Sequence, residues 1–147
     1  MAKLTNNENN LCFELTPILK DDFGFLCQIH LSTELINITY DHASNHDKYI
    51  SHNNLAYLKD NITNLERLDD FAEESELIFD IYPIDMFMML DVYKSNNTIL
   101  WIELKMPTGI FSNGQVKGYF IAFNFWTALH TFKHFIHDFI QECEHLS

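Results

Sequence analysis

The sequence predicts an α+β fold: an antiparallel β-sheet of about six to seven strands with two packed α-helices, in the order βββ-α-ββββ-α. Three observations predict it. Short stretches alternate apolar and polar residues with period two, two longer stretches carry apolar residues at helical spacing, and only four Gly and three Pro interrupt them. A length of 147 residues suits a single domain. Apolar residues form 47% of the chain, thirteen Phe among them, which is too apolar for a disordered chain.

The opening "MAKLTNNENN" is polar and Asn-rich, and residues 1–10 read as a flexible tail. "LCFELTP" then places Leu11, Phe13 and Leu15 on one side of a strand. After the turn residues of "KDDFG", "FGFLCQIHL" puts Phe23, Phe25, Cys27, Ile29 and Leu31 on one face. "LINITY" is a third strand, with Ile36, Ile38 and Tyr40 on one side. The polar "DHASNHDKYISH" reads as a loop. Ser51 or Asn53 can then cap a helix whose stripe is Leu55, Leu58, Ile62, Leu65 and Leu68. "ELIFDIYP" and "MFMMLDVYK" follow as strands separated by Pro83 and Asp85, with "SNN" as a turn before "TILWIELKMP". "PTGIFSNGQ" loops out through its Asn113-Gly114 pair, and "VKGYFIAFNF" is the last strand. From about Trp126 the period becomes helical: Leu129, Phe132, Ile136, Phe139, Ile140 and Cys143 share a face, with Ala128 and Phe135 at its margin.

Twenty-one acids against nine bases give a formal net charge of −12. Such a field repels phosphate backbones and anionic membranes, and Arg67 is the one arginine, so direct nucleic-acid binding and membrane binding are not expected. The same field attracts a cationic partner. Cys12, Cys27 and Cys143 form no CxxC and no even set, as expected of a reduced cytoplasmic protein. The start lacks a secretory signal, and no apolar run reaches the roughly 18 residues of a membrane span.

Chemistry-bearing residues are few. His130, His134 and His137 are spaced i, i+4 and i+7, a spacing that can present imidazoles to a divalent metal. They lie opposite the apolar stripe, however, beside Lys133, Gln141 and Glu144, where a solvated face supplies no enclosing cavity. Asp41, His42, His46, Asp47 and His52 also cluster ligand types, but in no metalloenzyme motif. No GxSxG, GxGxxG or GxxxxGK occurs, and the cysteines sit at apolar positions of strands and helix. No catalytic residue, metal or cofactor is therefore assigned, and the chain reads as a binding protein rather than an enzyme.

One stretch stands out. In "ERLDDFAEESE", six of eleven residues are carboxylates opposed by Arg67 alone. Acids at a helix C-terminus oppose its dipole. Asp70 and Glu73 have capping-box spacing, which accounts for them and for Glu74 locally. Glu66, Asp69 and Glu76 have no such local use, and unforced charge of this kind suits electrostatic docking as well as plain solvation.

From Ser51 to Leu146 the order of elements resembles a known family. The amphipathic helix "SHNNLAYLKDNITNLERL" leads to "ELIFDIYP", then to the alternating "MFMMLDVYK" and "TILWIELKMP", and a last strand enters "FNFWTALHTFKHFIHDFIQECEHL". This resembles small bacterial immunity proteins encoded beside polymorphic or contact-dependent growth-inhibition toxins, of the type paired with the wall-associated toxin WapA. Tyr82 departs from that pattern, which often has an acid before the proline, and the three-histidine face is no feature of it. The resemblance implies a cytoplasmic protein without catalysis of its own, which binds the C-terminal domain of a cognate secreted toxin, commonly a cationic nuclease. Charge and resemblance together nominate Glu66, Asp69, Asp70, Glu73, Glu74 and Glu76 as the toxin-binding surface, with Asp41 and Asp47 as further candidates. Two alternatives stay open: an acidic type III secretion chaperone holding an effector segment, and a metal-dependent enzyme using the histidines.

Overall fold

The computed structural model describes residues 1–40, 49–68, 76–83, 87–107 and 120–146. These form strands β1 (Ala2–Thr5), β2 (Leu11–Lys20), β3 (Gly24–Thr33), β4 (Asn37–Tyr40) and β5 (Tyr49–Ser51), helix α1 (His52–Glu66), strands β6 (Leu77–Ile81), β7 (Met89–Lys94), β8 (Ile99–Pro107) and β9 (Phe120–Ala128), and helix α2 (Leu129–His145). The α+β class and the order strands, helix, strands, helix are as the periodicity predicts. The strands divide between two antiparallel sheets instead of one. The first has the order β1-β2-β3-β4, with β5 pairing the opposite end of the same edge of β3; the second is β6-β7-β8-β9.

Helix α2 lies between the sheets. Phe135 meets Phe13 of the first sheet edge-on, with ring centroids 6.0 Å apart, and Phe132 meets Phe79 of the second at 5.6 Å. The five α2 side chains Phe132, Phe135, Ile136, Phe139 and Cys143 are all buried, so Phe135 belongs to the core and not to its margin. Each large side chain buried in this way contributes about 1.5–3 kcal/mol. Helix α1 buries Leu55, Leu58 and Leu65, with Leu68 buried just beyond its end, and packs against α2, β5 and β6. One continuous cluster joins all these residues.

Caps explain where the helices begin. Ser51 accepts from the Asn54 amide while the Asn54 side chain accepts from the Ser51 amide, a reciprocal capping box. Helix α2 has no side-chain cap; its Leu129 amide donates instead to the Thr98 carbonyl, 2.8 Å away in the turn between β7 and β8. Pairing of Trp126, Thr127 and Ala128 with β8 keeps these residues in the strand, so α2 starts later than the expected Trp126.

Several local expectations are corrected. Residues 1–10 are not a tail: Ala2 and Leu4 are fully buried on β1, and the Asn6 carboxamide accepts from the Asn10 and Leu11 amides to build the turn into β2. Phe23 does not join the core face of β3, since it is 78% exposed. Asp21 Oδ1 accepts from the Phe23 and Gly24 amides, which makes the segment a turn and delays β3 to Gly24. Finally, the end of the expected loop "DHASNHDKYISH" is ordered as β5 and the start of α1. Ile36 stands outside β4 and is 41% exposed, whereas Ile38 packs on the core as expected.

Candidate functional site

The outer face of the second sheet carries two contrasting rows. Antiparallel register places Leu77, Tyr93, Trp101 and Trp126 opposite one another across β6, β7, β8 and β9. The adjoining row is Asp80, Asp91, Glu103 and Asn124. Residues directly opposite in such a ladder share a face, with Cβ atoms about 4.5–5.5 Å apart. Three carboxylates thus stand side by side on three successive strands, next to a row of aromatic rings. Alternation directs the intervening Leu90, Val92, Ile102 and Phe125 into the core, which is why the face can be read off the strands.

A β-bulge between Leu77 and Phe79 assembles the rows. The extra residue turns both Leu77 and Asp80 outward although they are three positions apart, while Ile78 and Phe79 are both buried. The carboxylates are anchored by hydroxyls and an indole. Tyr57 of α1 donates to Asp80 at 3.0 Å, Tyr82 donates to Asp91, and the Trp101 Nε1–H donates to Glu103 at 3.4 Å. Asp91 is the most enclosed of the three, 7% exposed.

Among the described residues, ion pairs join the Met1 amino terminus to Glu142, Lys3 to Glu14, His30 to Glu14 and Lys59 to Glu144, and none reaches Asp80, Asp91 or Glu103. Lys105 lies one row further on, between Met89 and Ala122. The negative potential registers on the neighbouring phenols. Burial pushes the Tyr93 hydroxyl pKa up, and Asp91 and Glu103 add to it. The Tyr82 hydroxyl is raised chiefly by its bond to Asp91, and the Tyr57 hydroxyl by burial and then by Asp80.

At the aromatic end the face opens into a groove of about 480 Å³ lined by Tyr93, Lys94, Ser95, Trp101, Glu103 and Trp126. The indoles of Trp101 and Trp126 are 4.7 Å apart and inclined by 59°, and Trp126 is 55% exposed. Leu77 and Tyr82 extend the exposed apolar surface.

Of the acids nominated from sequence, Glu66 and Glu76 are exposed, at the end of α1 and just before β6. The Glu76 carbonyl accepts from the Lys94 amide at 3.0 Å, which sets Glu76 at the rim of the groove, beside Leu77. Asp69, Asp70, Glu73, Glu74, Asp41 and Asp47 lie outside the described residues, as do His42 and His46. His52 is occupied structurally: its ring bonds the Asp21 carbonyl at 2.9 Å and packs edge-on against Phe25. His130, His134 and His137 are exposed, and among the described residues no three His, Cys, Asp or Glu side chains gather into a group that could hold a metal ion. Cys27 and Cys143 are buried, Cys12 half-buried, and none of the three forms a disulfide.

Sequence reasoning missed Asp80, Asp91 and Glu103. A signal existed: "DVY", "WIE" and "NFW" each hold an aromatic and a polar residue two positions apart, hence on one face of a strand. Only the register shows that these pairs align. Among the described residues no helix is long and apolar enough to cross a membrane. Comparison with protein-family models, with curated proteins and with solved structures finds no match.

Proposed function

We propose that this chain is an immunity protein that binds a cognate secreted toxin domain in the cytoplasm and neutralises it through an acidic surface. The toxin domain is a basic protein, a nuclease in the form we favour. One observation carries the reading: Asp80, Asp91 and Glu103 stand in register on the outer face of the second sheet, Asp80 and Glu103 half-buried and Asp91 nearly enclosed, with no cation paired to them among the described residues. Like charges directly opposite in a sheet cost stability, so such a row is best accounted for by a cationic partner that relieves it. Complementary charge also speeds encounter and excludes wrong partners. The formal charge of −12 extends the field over the molecule, and exposed Glu76 adds an acid at the rim of the groove.

The test is capture from a lysate of the native organism at low and at high salt, followed by co-expression with the protein captured. A basic toxin domain that is released by salt, and whose toxicity this chain suppresses, is the expected result. A captured effector held through an extended segment, without suppression of toxicity, overturns the reading in favour of a secretion chaperone. So does a toxin whose capture is indifferent to salt.

A further inference from the structure

We infer that the groove lined by Trp101 and Trp126 is an arginine pocket: it takes a guanidinium side chain of the cationic protein partner, stacked on an exposed indole face and paired with Glu103. The inference rests on reading this face as the docking surface for a basic toxin, and adds which side chain is recognised.

Three features converge. The two indoles are 4.7 Å apart at an angle of 59°, so they pack against each other as one tilted aromatic wall, and Trp126 offers its surface to solvent. Glu103 is directly opposite Asn124 and one row from both rings, and the Trp101 indole N–H holds its Oε1 at 3.4 Å. A carboxylate is thereby fixed at the edge of an aromatic wall. Lys94 also lines the groove, but it is 8% exposed and its ammonium donates to the Leu68 carbonyl at 3.2 Å. It does not present a competing charge to the opening.

A planar cation suits this arrangement better than a compact one. Guanidinium can lie against a ring face and still direct two N–H groups at a carboxylate in its own plane. It is also less strongly hydrated than ammonium, so less is lost when it leaves water. Asp91 and Asp80 continue the negative row away from the rings, which orients a partner segment along the strand-to-strand direction with its next basic residue over them.

The chain contains two tryptophans, both in the groove, so fluorescence excited selectively at tryptophan reports on this place. The intact protein is titrated with a blocked peptide of alternating Arg and Gly, and with the same peptide carrying Lys for Arg. A saturable change with the Arg peptide is expected, several-fold tighter than with the Lys peptide. Glu103→Gln, which keeps an acceptor for the Trp101 indole, and Trp126→Ala, at an exposed position, are each expected to weaken it roughly 3- to 30-fold. Thermal melts of both variants establish that they fold. No saturable change, or equal binding of both peptides unaffected by Glu103→Gln, overturns the pocket. If a basic toxin is neutralised equally by wild type and by both variants, the immunity reading stands and the pocket falls. If the Arg peptide binds as expected but no toxin is neutralised, the pocket stands and the immunity reading falls.

Discussion

Gly24 turns the chain into β3 with φ +152°, and a Cβ there would lie 2.3 Å from the Ile50 carbonyl oxygen. Both the backbone angle and the close approach of β5 exclude a side chain. Gly24→Ala is expected to destabilise by about 1–3 kcal/mol, read as a lowered urea midpoint. Ser51→Ala removes half of a reciprocal cap and should cost about 1 kcal/mol in the same assay, with Ser51→Asp recovering most of it. Glu14 supplies a pH dependence. Its bond to Lys3, helped by His30, holds its carboxyl below the ordinary glutamate value of 4.5. A lowered folded value means that its contribution is complete above 4.5 and is lost as pH falls through the folded value. Urea midpoints measured from neutral to acid pH should therefore fall less steeply for Glu14→Gln than for wild type. The Cys143 thiol is pushed up to about 12 by burial. It should resist a thiol reagent at mild alkaline pH until denaturant is added, when all three cysteines react.

At the scale of elements, β6 to β9 bring like charges together at a cost in stability. Glu103 faces Asp91 across β7 and β8, and like charges so placed cost roughly 0.2–1 kcal/mol. Glu103→Gln is accordingly expected to raise the melting temperature while weakening partner capture. A variant that lost both would show instead that Glu103 is structural. Helix α2 makes the opposite case. Phe132 is fully buried between Phe79 and Phe135. Phe132→Ala should cost about 3–5 kcal/mol.

The two sheets are held as one molecule by few polar links and many apolar ones. The Asn7 amide bonds the Trp126 carbonyl at 2.9 Å, and the Thr127 hydroxyl donates to the Thr5 carbonyl at 2.7 Å. These bonds fasten the end of β1 to β9, which is why an Asn-rich opening that looks like a tail is part of the fold. Polarity alone suggested fraying, but the asparagines serve as turn-builders. A formal charge of −12 makes the whole molecule a long-range attractor for a basic protein. Partner association rate should fall steeply with added salt, whereas the melting temperature should hold or rise as self-repulsion is screened.

The α+β class, both helical stripes and most strands were legible in the sequence because side-chain period follows backbone geometry. Alternation in "LCFELTP" and "TILWIELKMP" and the Leu55–Leu68 stripe all landed on buried faces. The acid excess was equally legible, since charge needs no coordinates. What period cannot carry is pairing. Separate strands hold Asp80, Asp91 and Glu103, and side-chain period does not specify that they align. The bulge between Leu77 and Phe79 even reverses the face that alternation would assign to Asp80 relative to Leu77. By itself, then, the sequence determined which segments bury which side and how negative the molecule is, because those depend on nearest neighbours and composition. Tertiary structure alone decided that three carboxylates form a row and that the two tryptophans meet, because register is set by turns, bulges and strand pairing, none of which side-chain period carries.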